Sequence, residues 1–331
     1  MFISSEKPVD IQYFSQKIDD NLSTYSYGDK PTELYEPIRY IMQLGGKRLR
    51  PLITLLAGYL FSDNVDNCIK PAIGIEVFHN FTLLHDDIMD KAPLRRGKPT
   101  VHEKWNPNIA ILSGDVMLVK AYEFFLDVET SKLQKALKLF SNCAAAVCEG
   151  QQLDMNYEAQ EQITIPDYIH MITLKTAVLL GLCLEMGAVI NNADEKDALL
   201  LKNFGINIGI AFQLRDDLLD VYGDQEKFGK QVGGDILADK KTFLLVTALA
   251  QANNNQKKIL TQFSNQSSYV PQEKIDHITE IYNILGIRAQ TEMKINSYFE
   301  EAFRNLAAVN APENRKELLR NLALKLMDRE N

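Results

Sequence analysis

This 331-residue chain is poor in cysteine, chain breakers and positive charge. Its four cysteines, Cys68, Cys143, Cys148 and Cys183, form no C-x-x-C pair, which argues against a disulfide scaffold or a structural zinc site. Seventeen glycines and 11 prolines make 28 of 331 residues. That is about 8%, against roughly 12% in average usage, and leaves little room for the turns of a sandwich or barrel. Lysine and arginine (36) fall short of aspartate and glutamate (44), for a net charge of −8. A nucleic-acid partner is therefore not expected. The first residues lack the basic start and apolar core of a secretory signal. The most apolar stretch, residues 179–190, is interrupted by Glu185, so no transmembrane segment is expected. With 46% apolar and 24% charged residues, the chain is expected to be a soluble, reduced, cytoplasmic globular protein.

Helical periodicity recurs almost everywhere. Tyr35, Ile38, Ile41, Met42 and Leu44 are spaced by threes and fours, and Gly45-Gly46 closes the run. Pro51, Pro71 and Pro166 stand where first helical positions would be, each ahead of apolar residues in helical register. The stretch from Leu199 to Tyr222 is long, apolar and free of proline. Loops are expected at 91–109, 223–235 and 252–272. Alternating strands and repeats of 20–50 residues are not evident. The pattern predicts one large all-α domain over residues 1–331.

The sharpest feature is an aspartate pattern that occurs twice. Asp86-Asp87-Ile88-Met89-Asp90 and Asp216-Asp217-Leu218-Leu219-Asp220 both read D-D-x-x-D. Aspartate fills only 23 of 331 positions, so two such patterns by accident have a probability well under about 0.01. On a helix, the first and last aspartates of each pattern share a face. A row of carboxylates can be no more than a solvated helix surface. Here both are preceded by strongly apolar helix, Phe78, Phe81, Leu83 and Leu84 in one case and Ile208, Ile210, Phe212 and Leu214 in the other. Such helices should be buried, and carboxylates at their ends need cations. Oxygen-only donors suit Mg²⁺ or Mn²⁺, which bind one or two carboxylates plus phosphate oxygens. Two facing rows would hold divalent ions around one polyphosphate.

Cations supply the second feature. Gly45-Gly46-Lys47-Arg48-Leu49-Arg50-Pro51 places basic residues at a helix start, where free N–H groups also favour anions. Arg95-Arg96-Gly97-Lys98 follows the first aspartate cluster closely, and Lys175, Lys230 and Lys240 add more positive charge. Together with the aspartates they imply two anionic groups, one held through metal and one directly by side chains.

These motifs resemble the trans-isoprenyl (polyprenyl) diphosphate synthases, which include the farnesyl and geranylgeranyl diphosphate synthases. The resemblance rests on GGKRLRP (45–51), LLHDDIMD (83–90), LRRGKPTVH (94–102), GQQLD (150–154), LKTA (174–177), FQLRDDLLD (212–220) and GKQVGGDILADKKT (229–242), all in the family's order. The last 90 residues carry no motif. The resemblance implies the isoprenoid synthase fold, a large all-α orthogonal helical bundle around a central apolar cavity, in a homodimer. It implies Asp86, Asp90 and Asp216 as Mg²⁺ ligands (Mn²⁺ being the alternative), with Asp87, Asp154, Asp217 and Asp220 as further ligands or their partners. Arg95, Lys175, Lys230 and Lys240 would contact the diphosphate of an allylic substrate (dimethylallyl, geranyl or farnesyl). Lys47, Arg50, His79 and Arg96 would bind isopentenyl diphosphate. Thr176 and Gln213 would line the place where the carbocation forms, beside Lys175.

The chemistry requires such residues. Breaking an allylic C–O bond separates a diphosphate anion from a carbocation, and pre-oriented cations stabilise that separation. The double bond of isopentenyl diphosphate then attacks the cation, and a proton is lost to the released diphosphate, since no side chain stands out as a dedicated base. Water must be excluded throughout. In this family side chains below the aspartate clamp limit product length. Phe81 lies five residues before Asp86, about 7.5 Å along a helix, and Thr82 beside it is small. The first cluster also lacks the two-residue insertion typical of bacterial farnesyl diphosphate synthases. These features resemble the medium-chain branch, C20 ahead of C15. Two alternatives are a class I terpene cyclase, which would not need the GGKRLRP site, and a non-catalytic partner subunit, which would be expected to lose an aspartate cluster.

Overall fold

A computed structural model describes residues 10–160, 162–223, 232–262 and 270–327. The described residues are overwhelmingly helical: α1 (Ile11–Thr24), α2 (Thr32–Gln43), α3 (Leu49–Tyr59), α4 (Asp66–Met89), α5 (Val101–Lys104), α6 (Pro107–Glu123), α7 (Thr130–Ala159), α8 (Ile165–Ile172), α9 (Val178–Ile190) and α10 (Glu195–Tyr222). The chain continues through α11 (Gly234–Leu237), α12 (Phe243–Gln251), α13 (Asn254–Gln262), α14 (Pro271–Ile284), α15 (Ile287–Ala308) and α16 (Glu313–Met327). A π-helical turn, Thr173–Ala177, joins α8 to α9. The fold is all-α, as the periodicity predicts.

Two compact units are formed, one by residues 1–140, 183–199 and 310–319, the other by 141–182, 200–309 and 320–331. In the first, α4 packs against α3 and α6. Between Cys68 and Phe81 nearly every residue of α4 is buried, as expected of a helix apolar all round. Phe78 meets Phe140 at a centroid distance of 5.2 Å, and Phe125 meets Phe140 at 4.6 Å, giving an aromatic core. Truncating Phe78 to Ala would cost about 3–5 kcal/mol. In the second unit, Tyr168 and Met171 of α8, Phe204, Ile208 and Leu214 of α10, and Phe243 and Leu244 of α12 are buried.

Three local expectations change. Pro71 does not start a helix; it lies inside α4, which begins at Asp66. The Asn64 side chain accepts from the Asp66 N–H, and Cys68 and Ile69 are buried, so packing and a local turn carry the helix back past the proline. The expected loop at 91–109 contains a two-residue ladder, Leu94–Arg95 against Lys98–Pro99, followed by α5 and the start of α6. Its turn residues Arg96 (φ 52) and Gly97 (φ 72) both have positive φ, the signature of a type I′ turn. Residues 254–262 of the third expected loop form α13. Residues 165–190 form a helical run long and apolar enough to cross a membrane, in spite of the charges within it. Of its most apolar window, 67% is buried inside the protein, the behaviour of a core helix.

Candidate active site

The first aspartate triplet ends α4. A helix turns by about 100° per residue, so adjacent aspartates cannot share a direction. Asp87 points inward and is 2% exposed, whereas Asp86 is half-buried and Asp90 exposed. Arg95 donates to both Asp87 oxygens, from Nε at 2.9 and 2.8 Å and from Nη2 at 2.6 Å. Its Nη2 is 3.8 Å from Asp86. Burial raises the Asp87 pKa, and the contact with Arg95 opposes that rise. Arg95, expected to contact the allylic diphosphate, thus has Asp87 as a partner, a fork-to-carboxylate match that a short hairpin supplies.

Arg96, in the positive-φ turn of that hairpin, has a different neighbour from Arg95. Its guanidinium lies against the Gly46 backbone, where a Cβ would come within 2.9 Å of its nitrogens. Gly46 has φ 132, so a larger residue would meet both strain and contact. Nearby, Arg50 Nη1 lies 2.9 Å from His79 Nε2. Arginine can only donate, so Nε2 accepts and the imidazole proton sits on Nδ1. Burial, followed by Arg50, Arg96, Arg95 and Arg48, holds the His79 pKa well below its ordinary value. A neutral imidazole with a donor N–H therefore stands among guanidinium groups. Lys47 is exposed on the loop just before α3, in whose first turn Arg50 stands. Thr82 is engaged locally, its hydroxyl donating to the His79 carbonyl at 2.8 Å. Phe81 is 8% exposed and lies between Phe78 (5.6 Å) and His85 (4.7 Å).

The second unit encloses a cavity of about 110 Å³. Three carboxylates (Asp154, Asp217 and Asp235) and three lysines (Lys175, Lys240 and Lys241) line it, with Thr176, Gln213 and Tyr168. Met171 and Ile172 give it apolar wall, and the rest of its lining is polar or charged. Asp217, the middle aspartate, is again the buried one at 3% exposure. Tyr168 donates to its Oδ2, Gln213 Nε2 donates to Oδ1 at 3.2 Å, and the Phe243 N–H donates to Oδ2 at 3.2 Å. Thr176 donates to Gln213 at 3.2 Å, completing a chain of four side chains. Burial raises the Asp217 pKa to about 7, although the Tyr168 and Gln213 bonds hold it down. Asp220 Oδ2 accepts from the Asp235 N–H at 2.9 Å and so fixes the start of α11. Asp216 is half-buried on the same helix.

Lys175 and Thr176 stand on the π-helical turn, and Lys175 Nζ reaches Asp154 at 2.6 Å. Close approach of α7 makes this possible. A Cβ on Gly150 would lie 2.2 Å from the Lys175 nitrogen, so only glycine fits. Lys240 is 4.0 Å from Asp235, and the fully buried Lys274 anchors the same loop through Asp239 at 2.8 Å. Lys230 lies outside the described residues.

Sequence reasoning missed Tyr168, which its spacing marks only as an apolar-face residue, and the roles of Gly150 and Asp235. Trp105 packs on Tyr40 of α2 at a centroid distance of 5.3 Å.

Among the described residues no three His, Cys, Asp or Glu side chains converge as a ready-made metal site. The donor chemistry nevertheless fits a hard divalent ion. The outer aspartates bring oxygen alone, and Mg²⁺ or Ca²⁺ would complete its shell with phosphate oxygens and water.

Comparison with known proteins decides the family. The polyprenyl synthetase family model matches residues 31–285. The chain belongs to the polyprenyl synthetase family. A short chain isoprenyl diphosphate synthase of Methanocaldococcus jannaschii is 39% identical over 267 residues, 80% of each chain. A crystal structure of a geranylgeranyl pyrophosphate synthase superposes with TM-score 0.92 at 41% identity, covering 98% of this chain and 100% of its own. A polyprenyl synthase from Caulobacter crescentus CB15, solved with calcium and isoprenyl diphosphate, has TM-score 0.84 at 29% identity, covering 97% of this chain and 95% of its own. The enzyme is a trans-prenyltransferase that makes medium- to long-chain prenyl diphosphates, and its family is generally dependent on divalent metal.

Proposed function

We propose that this synthase condenses isopentenyl diphosphate with an allylic diphosphate to give the C20 all-trans product, with Mg²⁺ as its metal. The observation that carries this reading is the repeated sorting of the two aspartate triplets. In each, the middle carboxylate is buried against protein donors, and the two outer ones, less buried, stand about one turn apart on another face. Asp86, Asp90, Asp216 and Asp220 are therefore the proposed metal-facing carboxylates. Asp87, Asp217 and Asp154 orient Arg95, Gln213 and Lys175 respectively. Bound Mg²⁺ would supply positive charge to the allylic diphosphate as its C–O bond breaks.

The chain's own residues do the rest. Arg95, Lys175 and Lys240, with Lys230, attract the departing diphosphate. Lys47, Arg50 and Arg96 hold isopentenyl diphosphate, with the His79 Nδ1–H as a neutral donor. The Thr176 hydroxyl and the Gln213 amide offer oxygen dipoles to the developing carbocation, and the Thr176–Gln213–Asp217–Tyr168 chain keeps them oriented. Phe81, buried one and a half turns before Asp86, is the proposed floor of the product channel.

We also propose a cytoplasmic homodimer built of one catalytic domain. Four free cysteines suit a reducing compartment. Ile111, Leu112 and Val119 of α6, 42%, 57% and 58% exposed, are the apolar residues a second copy would cover. Sedimentation of a Leu112→Lys, Val119→Lys variant should then report a monomer. The reading as a whole is tested by incubating the enzyme with Mg²⁺, isopentenyl diphosphate and each allylic primer in turn. Mass spectrometry should find a C20 diphosphate as the end product, and C15 alone would overturn the assigned length.

A further inference from the structure

We infer that Arg48 and Glu76 form a positioning pair that builds the isopentenyl diphosphate site, clamping residues 45–50, the loop and first turn of α3, onto α4. The inference rests on the reading of Lys47, Arg50, His79 and Arg96 as that site.

Glu76 is a carboxylate inside the buried, mostly apolar stretch of α4 between Cys68 and Phe81, its side chain 4% exposed. Such a group is costly to bury without a partner. Arg48 supplies one, with Nη1 at 2.8 Å from Glu76 Oε1. Asn80 Nδ2 also reaches Oε1, at 3.3 Å. The other terminal nitrogen of Arg48 donates to the Met42 carbonyl near the end of α2. One guanidinium therefore ties together α2, the start of α3 and α4. Its two protein acceptors leave Arg48 a different task from the Lys47 and Arg50 beside it.

The backbone points the same way. Arg48 caps α3 in the left-handed region, φ 45, one residue beyond the positive-φ pair Gly45 (φ 81) and Gly46 (φ 132). A side-chain-bearing residue stays there only where its surroundings enforce it. Glu76 and His79 are three residues apart on α4 and so lie on one side of it. Arg48 reaches Glu76 and Arg50 reaches His79, like two rungs about one turn apart. The tight loop also receives Arg96 against Gly46. Loosening the first rung would shift Lys47, Arg50 and the seat of Arg96 together.

A purely electrostatic role for Glu76 predicts the opposite sign. Removing an anion beside a diphosphate site should tighten diphosphate binding, whereas releasing the loop should weaken it.

The test is steady-state kinetics of the full chain carrying Glu76→Gln or Arg48→Lys, with KM measured separately for isopentenyl diphosphate and for the allylic primer. Arg48→Lys keeps the charge and loses the fork. Each variant should raise the isopentenyl diphosphate KM by about tenfold or more, with the allylic KM within about twofold and kcat changed less than the isopentenyl KM. An apolar double variant, Arg48→Met with Glu76→Leu, removes the buried charges together. It should recover the thermal midpoint of the wild type but not its isopentenyl diphosphate KM. An unchanged or lowered KM in Glu76→Gln, an equal rise in both KM values, or recovery of KM in the double variant would overturn the proposal. Lys47→Ala tests the underlying site assignment separately. An unchanged isopentenyl diphosphate KM there would overturn that assignment, whereas a raised KM beside a normal Glu76→Gln would overturn the pair alone.

Discussion

His79 shows how a single residue's environment selects its chemistry. Its Nε2 accepts from Arg50, and burial with neighbouring arginines depresses its pKa. In the unfolded chain the ring titrates near 6.5. The folded protein binds that proton only at lower pH, so below about pH 6.5 the unfolded state gains protons first and stability falls. Denaturation across pH 7.5 to 5 should show this loss, with a slope of up to about 1.4 kcal/mol per pH unit from this one group. His79→Gln should flatten the slope, and an identical slope in both proteins would contradict a neutral buried ring. At this scale the sequence was only partly legible. Two adjacent aspartates look equivalent in D-D-x-x-D, and tertiary packing decides that Asp87 and Asp217 turn inward. Tyr168 was invisible because the hydroxyl that matters lies 49 residues from the carboxylate it serves.

Among the elements, the π-helical turn between α8 and α9 matters most to the candidate chemistry. It presents Lys175 and Thr176 next to Gln213, and Gly150 of α7 is the space into which it fits. Gly150→Ala should displace that turn. A misplacement near 1 Å at reacting groups can cost about 10² in rate, so kcat should fall by about that factor. A kcat within twofold of wild type would mean that the turn yields freely. The motifs GQQLD and LKTA advertise both segments without revealing that they touch. Helix positions were legible from spacing, since a face with period 3.6 needs no tertiary information. The Arg96-Gly97 hairpin was not, because two-residue strands are too short to show alternation, and Pro71 misled because packing overrides its preference.

At the scale of the whole molecule, product length follows from which side chain stops the growing tail. Phe81 is buried on α4 between Phe78 and His85. Phe81→Ala should lengthen the products of the enzyme beyond those of wild type, as read by mass spectrometry after extended incubation. An unchanged distribution would remove Phe81 as the floor. The all-α architecture was legible from the scarcity of chain breakers and the pervasive helical period.

The outer carboxylates of both triplets are proposed to serve a divalent metal during ionisation. Single-turnover rates of Asp86→Ala and Asp216→Ala over a range of Mg²⁺ concentrations test this role most directly, with circular dichroism confirming retained helix. Each should lose roughly 10²–10³-fold or more in rate at a given Mg²⁺ level, by the measure of one preorganised electrostatic contact. A near-wild-type rate with unchanged Mg²⁺ dependence in either variant would contradict the account.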